Sequence, residues 1–153
     1  MDKPLRTNVL RQLGAGRLMT IATLRPDGWP QATMVGYAND GLRLYFLIAR
    51  ASQKFANLSR DDRVSIAIGA DSPDPMKIEG LSMAASVSEV QGGAEYRRAI
   101  GLFKQRYPEY AVFPEPDPRA MALMRAEPEI VSVLDYSKGF GHTDLARVET
   151  EDL

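Results

Sequence analysis

Hydrophobic and polar residues alternate in short runs through the first half of the chain. Three runs rich in apolar and β-branched residues span Met19–Leu24, Ala32–Tyr37 and Leu42–Ile48. The tetrapeptide Arg25-Pro26-Asp27-Gly28 separates the first two runs, and Asn39-Asp40-Gly41 precedes the third. Because Pro presets one turn dihedral and Gly tolerates a positive φ, such sequences favour tight turns between antiparallel strands. The pattern therefore predicts two consecutive hairpins.

The third run is followed by the signature of a short helix and then by another strand. Ser52 is a good helix N-cap, and Phe55 and Leu58 recur at the spacing of an apolar helix face. Asp62-Arg63-Val64-Ser65 begins a fourth predicted strand, which extends to Gly69. The segment that ends there therefore holds four predicted strands and one short helix.

The rest of the chain adds helices and further strands to this core. No parallel strand–helix–strand unit is present, so we expect a mainly β fold: an antiparallel β-barrel with peripheral helices, formed by residues 1–153 as one domain. The remaining predicted elements are an amphipathic helix over residues 4–13 that ends at Gly14, one long or broken strand over Lys77–Val90, a helix over Ala94–Tyr107, an irregular loop over Pro108–Pro118, a helix capped by Asp117 with Pro118 at its first position, and a closing strand over Ile130–Tyr136.

Composition and charge narrow the classes of function. The 153 residues include 20 acidic and 19 basic side chains, so no broad field favours a nucleic acid or a membrane surface as partner. The chain has no cysteine and one histidine, which excludes thiol catalysis and argues against a metal site. The first residues lack the apolar core of a signal peptide, so we expect a cytoplasmic protein.

The start of the predicted short helix is a candidate phosphate site. A helix N-terminus carries free N–H groups and a partial positive charge, so an anion is stabilised there. Ser52 adds a hydroxyl and Lys54 adds a full positive charge. These residues favour a phosphorylated cofactor on a small β-barrel.

The order of these motifs resembles the pyridoxamine 5′-phosphate oxidase-like family of FMN-binding split barrels. The resemblance covers roughly residues 5 to 90 well and the remainder loosely. It is carried by Gly28-Trp29-Pro30, the strands Gln31–Ala38 and Leu44–Ile48, the Ser52-x-Lys54 turn and Asp62-Arg63-Val64-Ser65. The resemblance implies an antiparallel split barrel of Greek-key type and a homodimer with FMN at the subunit interface.

The resemblance also implies which residues contact the cofactor. Ser52 and Lys54 match the family's phosphate-binding Ser and Lys, with Gln53 in place of the Arg between them. On the strands, Thr33 takes the place of a cofactor-binding Arg and Ala38 that of a Lys near the flavin, so several cations of the vitamin B6 oxidase are absent. The remaining implied contacts are Met34 and Val35 beside the ring, and Leu47 and Ile48 in place of a Tyr-Thr pair.

The segment Asp135–Asp144 is a second candidate for chemistry. It contains two glycines, Lys138 and the single histidine, His142. A cation and an imidazole stabilise negative charge on a reduced flavin or an anionic substrate. In the family that the chain resembles, a C-terminal segment approaches the flavin of the partner subunit, so Lys138 and His142 are the candidate catalytic residues.

The resulting functional prediction is an FMN-dependent oxidoreductase that acts on a small molecule. Two alternatives remain open at this point. One is a reductase of the same fold that uses the deazaflavin F420, whose phosphate is suited to the same turn. The other is a flavin- or haem-binding module without turnover of its own.

Overall fold

The computed structural model describes all 153 residues and shows a closed antiparallel barrel. Six strands form the barrel, a seventh extends it, and three α-helices lie on its outside. The elements are the helices α1 (Lys3–Ala15), α2 (Gln53–Arg60) and α3 (Gly93–Arg106), and the strands β1 (Leu18–Leu24), β2 (Pro30–Asp40), β3 (Arg43–Ala49), β4 (Arg63–Ala70), β5 (Glu79–Glu89), β6 (Met121–Asp135) and β7 (Thr143–Arg147).

The strand order explains how the barrel closes. The strands pair in the order β3-β2-β1-β4-β5-β6, and a further pairing between β3 and β6 closes the ring. The chain runs through β1, β2 and β3 as a meander, and β4 then returns to lie beside β1, which is the Greek-key arrangement. Strand β7 pairs only with the second half of β6. The predicted fold class is therefore confirmed.

Alternation along each strand places one set of side chains inside the barrel. On β1, Met19, Ile21 and Thr23 are buried while their neighbours face outward. One core of 22 buried residues fills the barrel; most are inward side chains of the six strands, and α1 contributes Val9 and Leu13. Burial of this apolar surface supplies most of the driving force for folding.

The first half of the chain folds as the sequence predicts. The two hairpin turns contain Gly28 and Gly41 with φ of 84° and 60°, which is the conformation that favours glycine. The short helix begins after the Ser52 cap, and β4 follows it. The two longer helices are also confirmed, with bounds that differ by one or two residues from the prediction.

One predicted helix is wrong. The chain does not form a helix at Asp117-Pro118: the Asp117 carbonyl accepts the N–H groups of Ala120 and Met121 in a turn, and strand β6 begins at once. The closing strand therefore starts at Met121 rather than Ile130. Pro128 argues against a strand in the sequence, because proline has no N–H to donate to a sheet. In the structure a β-bulge lies beside Pro128, and bulges are among the places where a strand tolerates proline.

The predicted irregular loop is partly ordered. Pro108–Val112 forms a short 3₁₀ helix directly after α3. No helix of the protein is both long enough and apolar enough to cross a membrane.

Candidate functional site

Some of the hydrogen-bond donors at the N-terminus of helix α2 have no acceptor within the chain. The Ser52 hydroxyl accepts the N–H of Phe55 at 3.2 Å and donates to the Ala49 carbonyl at 2.7 Å. The backbone N–H groups of Gln53 and Lys54 have no acceptor in the protein. Two free donors at the positive end of a helix are the chemistry that an anion requires.

Lys54 supplies a full charge at this helix end. Its side chain is half-buried, and it forms neither an ion pair nor a side-chain hydrogen bond. Burial lowers the pKa of the Lys54 ammonium, because desolvation disfavours the charged form. The neighbouring cation, Arg50, is already paired with Glu89. Lys54 is therefore the cation at α2 that remains available for a ligand.

The side chain of Gln53 forms a hydrogen bond within helix α2. Its side-chain amide donates to the Asn57 oxygen at 2.8 Å. Asn57 is fully buried and in turn donates to Thr23 at 3.0 Å and Gln31 at 3.1 Å. These contacts fix α2 against the barrel, so the side chain of Gln53 supports the site while its backbone N–H remains without an acceptor.

The predicted residues on β2 point to both faces of the strand. Met34 faces outward and is 67% exposed, whereas Thr33 and Val35 face the barrel interior. The Thr33 hydroxyl is buried and has no hydrogen-bond partner. A buried hydroxyl without a hydrogen-bond partner costs stability. Thr33 is the one predicted strand residue whose side chain lacks such a partner.

The two predicted residues on β3 also separate. Ile48 is 5% exposed and lies in the barrel core. Leu47 faces outward beneath α3, where it packs with Tyr45 and Leu123. Of this pair, only Leu47 presents its side chain to a cavity.

That cavity lies between α3, the segment after it and the outer side of β3. It has a volume of about 590 Å³, and Leu47 forms part of its wall. Its aromatic side chains follow one another along the chain: Phe103, Tyr107, Tyr110 and Phe113, with successive ring centroids 5.8–6.0 Å apart. We call this feature the aromatic cavity.

Tyr107 anchors the aromatic cavity to the barrel. Its hydroxyl accepts the Tyr37 N–H at 2.9 Å and donates to the Arg17 carbonyl. The ring lies over Gly36 of β2, where an added Cβ would come within 3.0 Å of the hydroxyl oxygen. Glycine at this position therefore permits the close contact between β2 and the cavity wall.

The C-terminal candidates form a separate cluster. Lys138 donates to Asp144 at 2.7 Å, and the His142 Nε2 atom lies 3.1 Å from the other Asp144 oxygen. The hydrogen bond with Lys138, followed by the contact with His142, lowers the pKa of Asp144. Lys138 and His142 are thus brought together, with Asp144 between them.

Within one chain, this cluster and the start of α2 lie at opposite ends of the barrel. The start of α2 follows Ala49, the last residue of β3, which pairs with Met121 at the first residue of β6. The cluster follows Asp135, the last residue of β6. Lys54 and His142 therefore do not belong to a single site built from one copy of the chain.

The sequence did not reveal the aromatic cavity. The pattern predicts a helix over Ala94–Tyr107, and the prolines that follow indicate only a loop. The spacing of Phe103, Tyr107, Tyr110 and Phe113, three or four residues apart across a helix end, is the signal that identifies them as one stack.

Comparisons with known proteins agree with this architecture. No curated protein sequence matches the chain at a significant level. Among solved structures, a heme-binding protein from Mycobacterium smegmatis superposes with a TM-score of 0.78 at 22% identity over 96% of the chain, which spans 60% of that protein. The heme storage protein HutZ from Vibrio cholerae gives 0.67 at 18% identity, covering 80% of the chain and 89% of HutZ. A conserved hypothetical protein, Rv2991 from Mycobacterium tuberculosis, gives 0.74 at 22% identity, covering 99% and 94%.

At these identities the superpositions show a shared fold. The family is shown by the sequence itself, because residues 5–135 match the profile of pyridoxamine 5′-phosphate oxidase. The chain therefore belongs to the pyridoxamine 5′-phosphate oxidase family.

Proposed function

We propose that this protein binds FMN and acts as a flavin-dependent oxidoreductase on a small molecule. The observation that carries the proposal is the N-terminus of α2, where two unpaired backbone N–H groups adjoin the unpaired, half-buried Lys54. These are the donors that a phosphate monoester requires, and membership of the family supports a flavin phosphate as the ligand.

The remaining polar and apolar groups suit the rest of FMN. The Ser52 oxygen is a further hydrogen-bonding group beside the free backbone donors, and the outward side chains of Met34 and Leu47 offer apolar surface for a ring. FMN, when bound, supplies the electron-transfer chemistry. The protein then contributes phosphate binding, orientation of the ring and exclusion of water.

We also propose that the protein is a homodimer. The outer faces of β2, β1, β4, β5, β6 and β7 form a broad sheet surface, here called the outer sheet face. Its central cross-strand row contains no charged residue, and Leu145 at its edge is 72% exposed. Such an uncharged, exposed surface suits a second copy of the chain. The row is formed by Met34, Thr20, Ala67, Ser82, Ser132 and Leu145.

A comparison of two flavins tests the phosphate site. Lys54→Met keeps the aliphatic stem and removes the charge, so the loss of a charge-assisted hydrogen bond, roughly 1.5–3 kcal/mol, should weaken FMN binding about ten- to hundredfold. Riboflavin, which lacks the phosphate, should bind the variant and the wild type with similar affinity. Titration monitored by flavin fluorescence measures both affinities.

Lys3→Met is the matched control, because Lys3 is also a lysine without an ion pair at the start of a helix, in this case α1. It should leave both affinities unchanged. Equal losses for FMN and riboflavin in the Lys54 variant would show that Lys54 does not bind the phosphate.

Haem binding is the second candidate function. It is favoured by the two structural neighbours named for heme binding and heme storage. Haem iron takes an axial side-chain ligand, and His142 is the single imidazole of the chain. The absorption spectrum and mass of the small molecule that co-purifies with the protein separate FMN, haem and F420 directly. A haem spectrum that persists in His142→Ala would exclude His142 as the iron ligand.

A further inference from the structure

We infer that the aromatic cavity is the substrate site and that the substrate is a planar, uncharged aromatic molecule. The role of this molecule as a substrate rests on the proposed oxidoreductase function, whereas its chemical class follows from the cavity alone. Three observations carry the inference: the lining, its charge balance and the position of the cavity on the barrel.

The lining selects a flat apolar ligand. A volume of about 590 Å³ lies within the roughly 300–1,000 Å³ of typical small-molecule sites. Phe103, Tyr107 and Tyr110 are stacked with interplanar angles of 20–29°, so the three rings are close to parallel. An aromatic ring gains stacking as well as apolar burial against such a wall.

The lining offers no unpaired charge, because its two charged residues, Lys104 and Glu115, are paired with each other. Arg17 lies outside the lining with its guanidinium over the Tyr107 ring at 4.7 Å, and it is paired with Glu109. An anionic substrate requires an unpaired cation, which distinguishes this cavity from the start of α2. The balanced lining therefore favours an uncharged molecule.

The position of the cavity connects it with the proposed flavin surface. Tyr37 of β2 and Phe46 of β3 are the last pair of this ladder, and Gly36 and Leu47 are the next residues along the two strands. Gly36 contacts Tyr107 and Leu47 lines the cavity. A ligand in the aromatic cavity thus adjoins the strand surface that we propose for the flavin ring.

Calorimetry on flavin-free protein tests the site. The probes are 2-naphthol, which is neutral at pH 7, and naphthalene-2-sulfonate, which has the same rings and a negative charge. Wild type should bind 2-naphthol at least about tenfold more tightly than the sulfonate. Ala111→Trp places an indole in the cavity from an exposed lining position and should weaken 2-naphthol binding at least about tenfold.

Val112→Trp is the matched control, because Val112 is adjacent, 82% exposed and outside the lining. It should bind 2-naphthol as wild type does. Phe113→Ala, at a largely exposed ring, provides a second loss of affinity that does not depend on filling the cavity. Melting curves confirm that each variant is folded.

Three results would overturn the inference: no binding of 2-naphthol by wild type, unchanged binding by both Ala111→Trp and Phe113→Ala, or equal affinity for the sulfonate. Because flavin is absent from these titrations, their outcome is independent of whether FMN binds. Failure of FMN binding in the Lys54 experiment would remove the proposed function and leave the cavity result intact.

Discussion

Lys54 has opposite effects on the free protein and on the protein with a bound phosphate. Without a partner its partial burial disfavours the charged form, which is why its pKa is lowered in the folded chain. The unfolded chain therefore binds more protons than the folded chain between the folded pKa and the ordinary value of 10.5. Stability from this group rises with pH through that interval. A bound phosphate would reverse the penalty by pairing with the ammonium.

Lys54 should therefore lower the stability of the flavin-free protein while it strengthens FMN binding. Lys54→Met should raise the melting temperature of the flavin-free protein at pH 7, because a desolvated charge is removed, while it weakens FMN binding. The difference between variant and wild type should shrink as the pH is raised toward 10.5. A lower melting temperature for the variant would show that Lys54 stabilises the free chain and is no dedicated ligand residue.

Residue-level prediction succeeds where the physics is local. Ser52 was identified as a helix cap from its sequence neighbours, and the structure confirms its hydrogen bond with Phe55. The unpaired state of Lys54 and the unpartnered hydroxyl of Thr33 were not predictable, since both depend on which side chains the barrel brings near.

At the scale of elements, Arg106 joins three parts of the structure. Its guanidinium donates to the carbonyls of Leu13 and Gly16 at the end of α1, at 2.9 and 2.8 Å, and to Asn39 of β2 at 2.7 Å. A cation at a helix C-terminus also interacts favourably with the helix dipole. The last turn of α3, which begins the aromatic cavity, is held in place by these contacts.

Removing these donors should loosen the whole connection. Arg106→Met keeps the aliphatic stem and leaves the carbonyls unpaired, so we expect a loss of about 1.5–3 kcal/mol in the free energy of unfolding. Urea denaturation measures it. Arg97→Met on the same helix is the control, because exposed Arg97 forms no ion pair, and its effect should stay within about 0.5 kcal/mol. Equal effects of the two substitutions would exclude the structural role given to Arg106.

Element prediction was accurate where turns and periodicity agreed and failed where proline interrupted a strand. The hairpins of β1, β2 and β3 were correct because alternation and turn residues gave the same answer. The first half of β6 was missed because the pairing that makes it a strand is with β3, more than seventy residues earlier in the chain. Short β7 was missed for a similar reason, since its partner is β6 and its own pattern is weak.

At the scale of the molecule, the barrel fold followed from the sequence, but the outer sheet face did not. Its uncharged row is assembled from six strands, and only the register across them shows that Met34, Ala67 and Leu145 share one line. The homodimer that we propose rests on this surface.

A charge in the middle of the row should prevent dimerisation. Ser82→Arg would bury a guanidinium group from each copy in the proposed interface, so we expect a monomer at micromolar concentration and weaker FMN binding. Gln105→Arg, at an exposed position of α3, is the control and should leave the dimer intact. Sedimentation analysis distinguishes the two states, and a Ser82→Arg dimer would place the interface elsewhere.

Lys54 and His142 lie at opposite ends of the barrel, so a site that needs both residues must take them from two copies of the chain. If each flavin is bound by the α2 end of one chain and contacted by the C-terminal cluster of the other, neither chain contains a complete site. A hybrid of one copy lacking the phosphate cation and one copy lacking the imidazole then retains one whole site, assembled from the intact half of each. Damage in one chain would be masked by the other, as in intersubunit complementation between two inactive parents.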